Sequence, residues 1–304
     1  RYVKMSQIWD DISKKYPDDM DALAYNSLYK ISISNNDEEK LIEAAMLAFE
    51  VLENIPDHPG GHHYVIHAYD TAQLAGLAIE TADNYGKIAP RIAHATHMMT
   101  HTYTRLGAWD KAIIWNTVSS DAALELCIAG GEITSNYAHA NDYLMYAFLQ
   151  KGEDEAALQL LTEAHSLDLP ISEEPDGGTA YSYSAMPARY ALERRDWDAA
   201  LKLEPRTPSS LPWIPAFDPF VANTHYARAL AFSNLGRPDE ATAEIQTLHD
   251  LSISISKNSA YWGTQVRIQE LSATAWQLHA EGDMENAMAT MKQAVDLELT
   301  TDKS

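Results

Sequence analysis

Four of the twelve histidines form two His-x-x-x-His pairs, His63/His67 and His97/His101. Each pair spans one helical turn, so both imidazoles leave the same helix face, a spacing at which two rings can share one metal ion. Seven of the twelve histidines fall between His58 and His101. The two pairs lie 34 residues apart, one helical-hairpin repeat, which brings them face to face on neighbouring hairpins. Neutral imidazole suits copper, zinc, iron and nickel. The single cysteine, Cys127, excludes both a Cys-rich zinc site and an intrachain disulfide. A metal must therefore rest on His, Asp, Glu or Tyr.

The elements that carry these residues are read as helices throughout. The chain has 304 residues, 46% of them hydrophobic, with only 13 glycines and 13 prolines. Such a chain can bury a sizeable core and suits an all-α protein better than a sheet. Short corners recur: Leu106-Gly107-Ala108-Trp109-Asp110-Lys111-Ala112, Lys151-Gly152 to Ala157, Arg195-Asp196 to Ala200, Leu235-Gly236 to Ala241, and Glu281-Gly282 to Ala287. The glycine supplies a tight exit from one helix, and the alanine lets the next pack closely. Arg195 stands where the other corners have glycine, so a looser or differently built turn is expected there. The corners are spaced about 41 to 46 residues apart, a degenerate array. Upstream, Tyr16-Pro17-Asp18-Asp19 and Ile55-Pro56-Asp57-His58-Pro59 mark breaks between repeats; Asp18 or Asp19 caps the helix bearing Leu23, Leu28 and Ile31. His58 and His62 belong to the Pro-Gly start of a helix, and Met98 and Met99 to the core. Looser stretches are expected over 168–179 and 207–219, the latter ordered by Trp213 and Phe217. The reading is one solenoid domain over 1–304, made of antiparallel helix pairs around a concave groove, with its His-rich repeats at about 58–150.

The corner motifs resemble those of tetratricopeptide-repeat (TPR) proteins. From about Tyr16 to Leu201 the chain is similar to a group of bacterial TPR-type proteins of largely unassigned activity. The residues carrying the likeness are His58-Pro59-Gly60, His63-Tyr64-x-Ile66-His67-Ala68, His94-x-x-His97-Met98-x-x-His101, His139-x-x-Asp142-Tyr143-Leu144 and Pro187-Ala188-Arg189-Tyr190-Ala191-Leu192-Glu193. Where that group usually reads His-Met-Pro-Ser-His, this chain has Met99-Thr100 in place of Pro-Ser. The resemblance implies that the first helix of each pair lines the groove at its second, fifth and ninth places, counting the corner glycine as the fifteenth. Gly107 then puts His94, His97 and His101 on the groove, and Gly152 puts His139, Asp142 and Tyr146 there. With Ala78 as the buried alanine of the preceding repeat, His63 and His67 follow. Arg189 joins the stripe, and His225 falls one step off it. Tyr64, Tyr103, Tyr143 and Tyr146 are expected around the histidines.

The formal charge of −22 argues against a nucleic-acid or anionic-membrane surface. The sequence has no 18-residue apolar run, Gly-rich phosphate loop, nucleophile elbow or dinucleotide fingerprint. The chain begins at Arg1, already in helix, so a further segment is expected before it, either a signal peptide or more repeats. Periplasmic, secreted and cytoplasmic locations all stay open. The expected function is a metal-dependent enzyme. Its mono- or dinuclear site is built from His63, His67, His94, His97, His101, His139 and His225. Copper-type oxygen chemistry on a small organic substrate comes first; zinc-type hydrolysis or elimination comes next, with iron also admitted. Asp142 and Tyr146 are the candidate bases, and Arg189 the candidate holder of a substrate carboxylate. The alternatives are a TPR scaffold that binds a protein partner and a metal chaperone.

Overall fold

The computed structural model describes residues 1–172 and 176–301; positions 173–175 of the expected loose stretch lie outside the described residues. Among the described residues the protein is all-α. Besides fifteen α-helices there are two short 3₁₀ turns and one isolated β-bridge, between Ile133 and Ile171. No helix is long and apolar enough to cross a membrane. The packing divides into two compact units, Arg1–Glu125 and a second from Leu126 onward.

The first unit contains α1 (Tyr2–Lys15), α2 (Met20–Ser32), α3 (Glu38–Asn54), α4 (Pro59–Ala68), α5 (Ile79–Ile88), α6 (Ala93–Arg105) and the larger part of α7 (Trp109–Gly130). Local sequence sets the helix starts. Asp19 accepts from the Ala22 amide at 3.0 Å and caps α2, while Asp37 caps α3 by accepting from Glu39 and Lys40. His58 caps α4: its Nδ1 accepts from the Gly61 amide at 3.1 Å, and its Nε2–H donates to Asp21 at 3.1 Å. Gly61 is required by the close approach of α3 and α4. A Cβ there would meet the Leu52 side chain at 2.7 Å.

A core of Leu41, Ala45, Ala48, Val65, Ala68, Tyr69, Leu74 and Ala78 locks α4 onto α3. Val65 and Ile66 are fully buried, each contributing about 1.5–3 kcal/mol. Their burial fixes the rotation of α4 and leaves His63 and His67 on its other face. On α6, Ala93, Ala95, Met98 and Met99 are buried, so the two methionines are core residues.

The second unit contains α8 (Ser135–Lys151), α9 (Asp154–Ser166), α10 (Gly177–Glu193), α11 (Trp197–Leu201), α12 (Asp218–Asn234), α13 (Pro238–Ser256), α14 (Ala260–Ala280) and α15 (Met284–Glu298). Consecutive helices pack as antiparallel pairs, α8 with α9, α12 with α13 and α14 with α15. The corner reading holds in detail. Gly107, Gly152, Gly236 and Gly282 have φ of +67°, +72°, +70° and +88°, and Ala112, Ala157, Ala200, Ala241 and Ala287 are all buried. Arg195 takes the same left-handed conformation at φ +53°, costing about 1–2 kcal/mol that glycine would not incur. In the 207–219 stretch, the Trp213 indole donates to the Pro208 carbonyl at 3.0 Å, and Phe217 is buried beside Phe220.

Candidate metal centre

In the first unit α4 and α6 pack together, and their histidines meet. One ring nitrogen from each of His63, His67 and His94 lies within 4.8 Å of the other two. His63 stacks on His67 at 4.8 Å between ring centroids and meets His94 at 5.0 Å. At the outer limit of 4.8 Å, each nitrogen of a symmetric trio is about 2.8 Å from the common centre. Closure on bonds of about 2.0–2.1 Å then asks each for a shift of about 0.7 Å. His63 and His67 are half-buried and His94 is exposed, so the trio has one open side.

These rings are poor bases. Burial, then the charges of His67, His94 and His101, push His63 down to about 3. Burial and His101 push His67 down to about 4, against a smaller upward pull from Asp70. His94 is lowered by burial and His101. All three are therefore neutral at pH 7, the form that binds a metal. The Tyr85 hydroxyl is 3.4 Å from His63 Nδ1; an Nδ1–H donating there leaves Nε2 for an ion. Burial raises the Tyr85 phenol to about 12, so it stays protonated.

The second pair is held from behind. His101 Nδ1–H donates to Asp70 Oδ2 at 2.8 Å, and Arg105 Nε donates to the other Asp70 oxygen at 2.9 Å. Burial works to raise the Asp70 carboxyl, but His101 and then Arg105 outweigh it and hold it below the usual carboxylate range. His97 is 3% exposed, and its Nδ1–H donates to the Asn116 amide oxygen on α7 at 2.8 Å. The Thr100 hydroxyl approaches the same oxygen at 3.1 Å. With both Nδ1 atoms so engaged, the Nε2 atoms of His97 and His101 face each other at 3.0 Å.

Several further residues have contacts of their own. His62 is buried, with its ring nitrogens at the carbonyls of Thr81 (3.3 Å) and Pro56 (2.9 Å). Tyr103 donates to Asp83 at 2.7 Å, and Lys111 bonds the same carboxylate, so this tyrosine is tied to a surface ion pair. In the second unit, His139 on α8 packs edge-on to Tyr143 at 5.1 Å. Asp142, Tyr146 and Arg189 do come together. The Arg189 guanidinium donates to the Asp142 carboxylate and lies over the Tyr146 ring at 5.4 Å. Burial opposes the Arg189 charge, but Asp142 outweighs it and raises the guanidinium above its ordinary value. His225 Nδ1–H donates to Glu244 at 2.7 Å, and Arg228 donates to the other Glu244 oxygen at 2.7 Å. Among the described residues no group of three metal-capable side chains includes His225.

Sequence reasoning missed Asp70, Tyr85 and Asn116. Asp70 lies three residues beyond His67, a spacing that could have flagged it. Tyr85 and Asn116 reach the centre only through the packing of α5 and α7, and no local signal marks them.

The protein is thus an all-α helical-hairpin repeat protein with clustered histidines in its first unit. No family model and no curated protein sequence matches the chain. Among solved structures, it is similar to the Cut9–Hcn1 hetero-tetramer of the APC/C, with a TM-score of 0.47, 15% identity, and coverage of 97% of this chain and 53% of that one. It is also similar to human IFIT1, solved as a dimer with m7Gppp-AAAA, with a TM-score of 0.41, 12% identity, and coverage of 96% and 77%. A third is the Naa15/Naa10 structure bound to HypK-THB, with a TM-score of 0.35, 15% identity, and coverage of 99% and 61%. The chain spans about half the length of the first of these. A likeness this distant says nothing about ligand or partner.

Proposed function

We propose that this protein binds a transition metal through His63, His67 and His94 and uses it on a small organic substrate entering at the His94 side. The observation that carries this reading is the trio itself: three ring nitrogens within 4.8 Å, from two helices that each bury an apolar face, α4 through Val65 and Ile66 and α6 through Met98 and Met99. The low basicity of His63 and His67 supports it, because protons do not compete for the rings at neutral pH. An all-imidazole set favours copper, with zinc or iron next. Bound copper would supply oxygen chemistry, and bound zinc an activated water. His63, His67 and His94 would hold the ion, the protonated Tyr85 hydroxyl would orient the His63 ring, and the open side would admit the substrate. Asp142, Tyr146 and Arg189 form a cluster of their own in the second unit.

A second reading is a protein-interaction scaffold or metal chaperone, favoured by the repeated helix-pair architecture, which is suited to presenting surfaces. The test is to load the full chain with copper or zinc, remove loose metal, and assay oxidation, hydrolysis and elimination on a panel of small substrates. The enzymatic reading expects turnover that disappears in His94→Ala. Retained metal with no turnover would favour the chaperone, and no retained metal the scaffold.

A further inference from the structure

His97 and His101 hold their Nε2 atoms 3.0 Å apart, and a hydrogen-bond partner behind each ring dictates its tautomer. The Asp70 carboxylate can only accept, so His101 carries its proton on Nδ1. The Asn116 amide oxygen likewise accepts from His97 Nδ1–H. In neutral rings this arrangement aims two Nε2 lone pairs at one point, an unfavourable contact unless a cation sits between them. Two metal–nitrogen bonds of about 2.0–2.1 Å spanning 3.0 Å meet at roughly 91–97°. That is close to the right angle of tetragonal Cu(II), and an opening of about 0.3 Å, smaller than the shift the tri-histidine group requires, would also admit a tetrahedral ion. Asp70 and Arg105 behind His101 have the form of the carboxylate–histidine–metal arrangement that fixes a ligand's orientation and raises its basicity.

We infer that His97 and His101 form a second, carboxylate-backed metal position beside the first, so that the centre takes two ions. The positions are neighbours, since the His67 and His101 rings are 6.4 Å apart. They are also unequal, because only the second has a carboxylate behind a ligand. The inference rests on the tri-histidine reading for its first ion and on the His97–His101 geometry for its second. Asp70 and Asn116 are positioning residues, since each acts through an imidazole.

The test is metal stoichiometry on the full chain loaded with Cu(II) and dialysed, with electron paramagnetic resonance of the bound copper. Wild type is expected to retain two ions per chain, and both His97→Gln and His94→Ala one each, with different spectra. Asp70→Asn should bind the second ion about 10–100-fold more weakly and change its spectrum, with a smaller effect on the first ion through His67. Because His97 is buried, His101→Gln serves as a second variant, with helical content measured in parallel. One ion in wild type, unchanged by His97→Gln and His101→Gln, would mean that the pair shares only a proton; the second position is then overturned and the tri-histidine reading stands. No retained ion overturns both. A loss of both ions in His94→Ala with helical content intact would also contradict two separable positions.

Discussion

Each unit of this protein holds a carboxylate between an imidazole and an arginine, and the two cases differ in one respect. In the first unit Asp70 receives His101 and Arg105; in the second Glu244 receives His225 and Arg228. Both carboxylates are well buried, and both are held below the usual carboxylate range by these partners against the effect of burial. Glu270 repeats the scheme with His249 and Arg267. Such triads therefore tie one helix to the element packed against it. What sets the first unit apart is the other side of the ring, where His101 meets His97 and lies near His67. A clamped histidine is a structural device. It becomes a candidate ligand when its remaining nitrogen converges with others.

Deleting one histidine from each unit separates the two cases by the widest margin. His67→Ala should weaken retained metal by more than the about 10–100-fold typical of losing a supporting partner, as measured by equilibrium competition with a chelator. His225→Ala should leave metal content unchanged. Equal metal loss in both variants would abolish the distinction between the units. Next in size, Glu244→Ala removes the carboxylate that holds Arg228 and His225 in the second unit. Breaking a fully buried pair costs about 3–5 kcal/mol; with the Arg228 side chain 28% exposed, about 2–3 kcal/mol is expected in denaturant unfolding, with metal binding intact.

The pH dependence of the metal-free protein offers a third test. Below about 6.5 an unfolded chain protonates its histidines, whereas folded His63 and His67 resist until about 3 and about 4. The unfolded state then binds more protons, so these rings make stability fall as pH drops from about 6.5 towards 4. A His63→Ala/His67→Ala variant should flatten that part of the thermal-unfolding profile. Asp70 and Glu244 act lower. Their depressed values give stability that is present above the ordinary carboxylate range and lost as pH falls through their folded values. The smallest effect belongs to the α4 cap. His58→Ala should cost about 1 kcal/mol in unfolding and leave metal content unchanged.

Much of this was legible in the sequence because helical geometry is regular. An i, i+4 pair must share a face, and the 34-residue offset between pairs brought α4 and α6 together as expected. The corner glycines and alanines fixed the hairpins, whereas Arg195, expected to loosen its turn, takes a glycine's left-handed conformation. The supporting residues were not legible. His97 was expected on an open groove, yet Asn116 on α7 takes its Nδ1 and buries it, a contact set by how two helices pack. Asp70 lies just past the end of α4, where no repeat register assigns a role. His225 fell near the expected stripe, but Glu244 on the next helix holds its ring.

The most direct test of the central claim is elemental analysis of the full chain after loading with copper or zinc and extensive dialysis, beside a His63→Ala/His67→Ala/His94→Ala variant that keeps its helical content. The account predicts at least one tightly held transition-metal ion per wild-type chain and the loss of that ion in the variant. Wild-type protein that holds no stoichiometric metal, or a variant that holds as much as wild type, would contradict it.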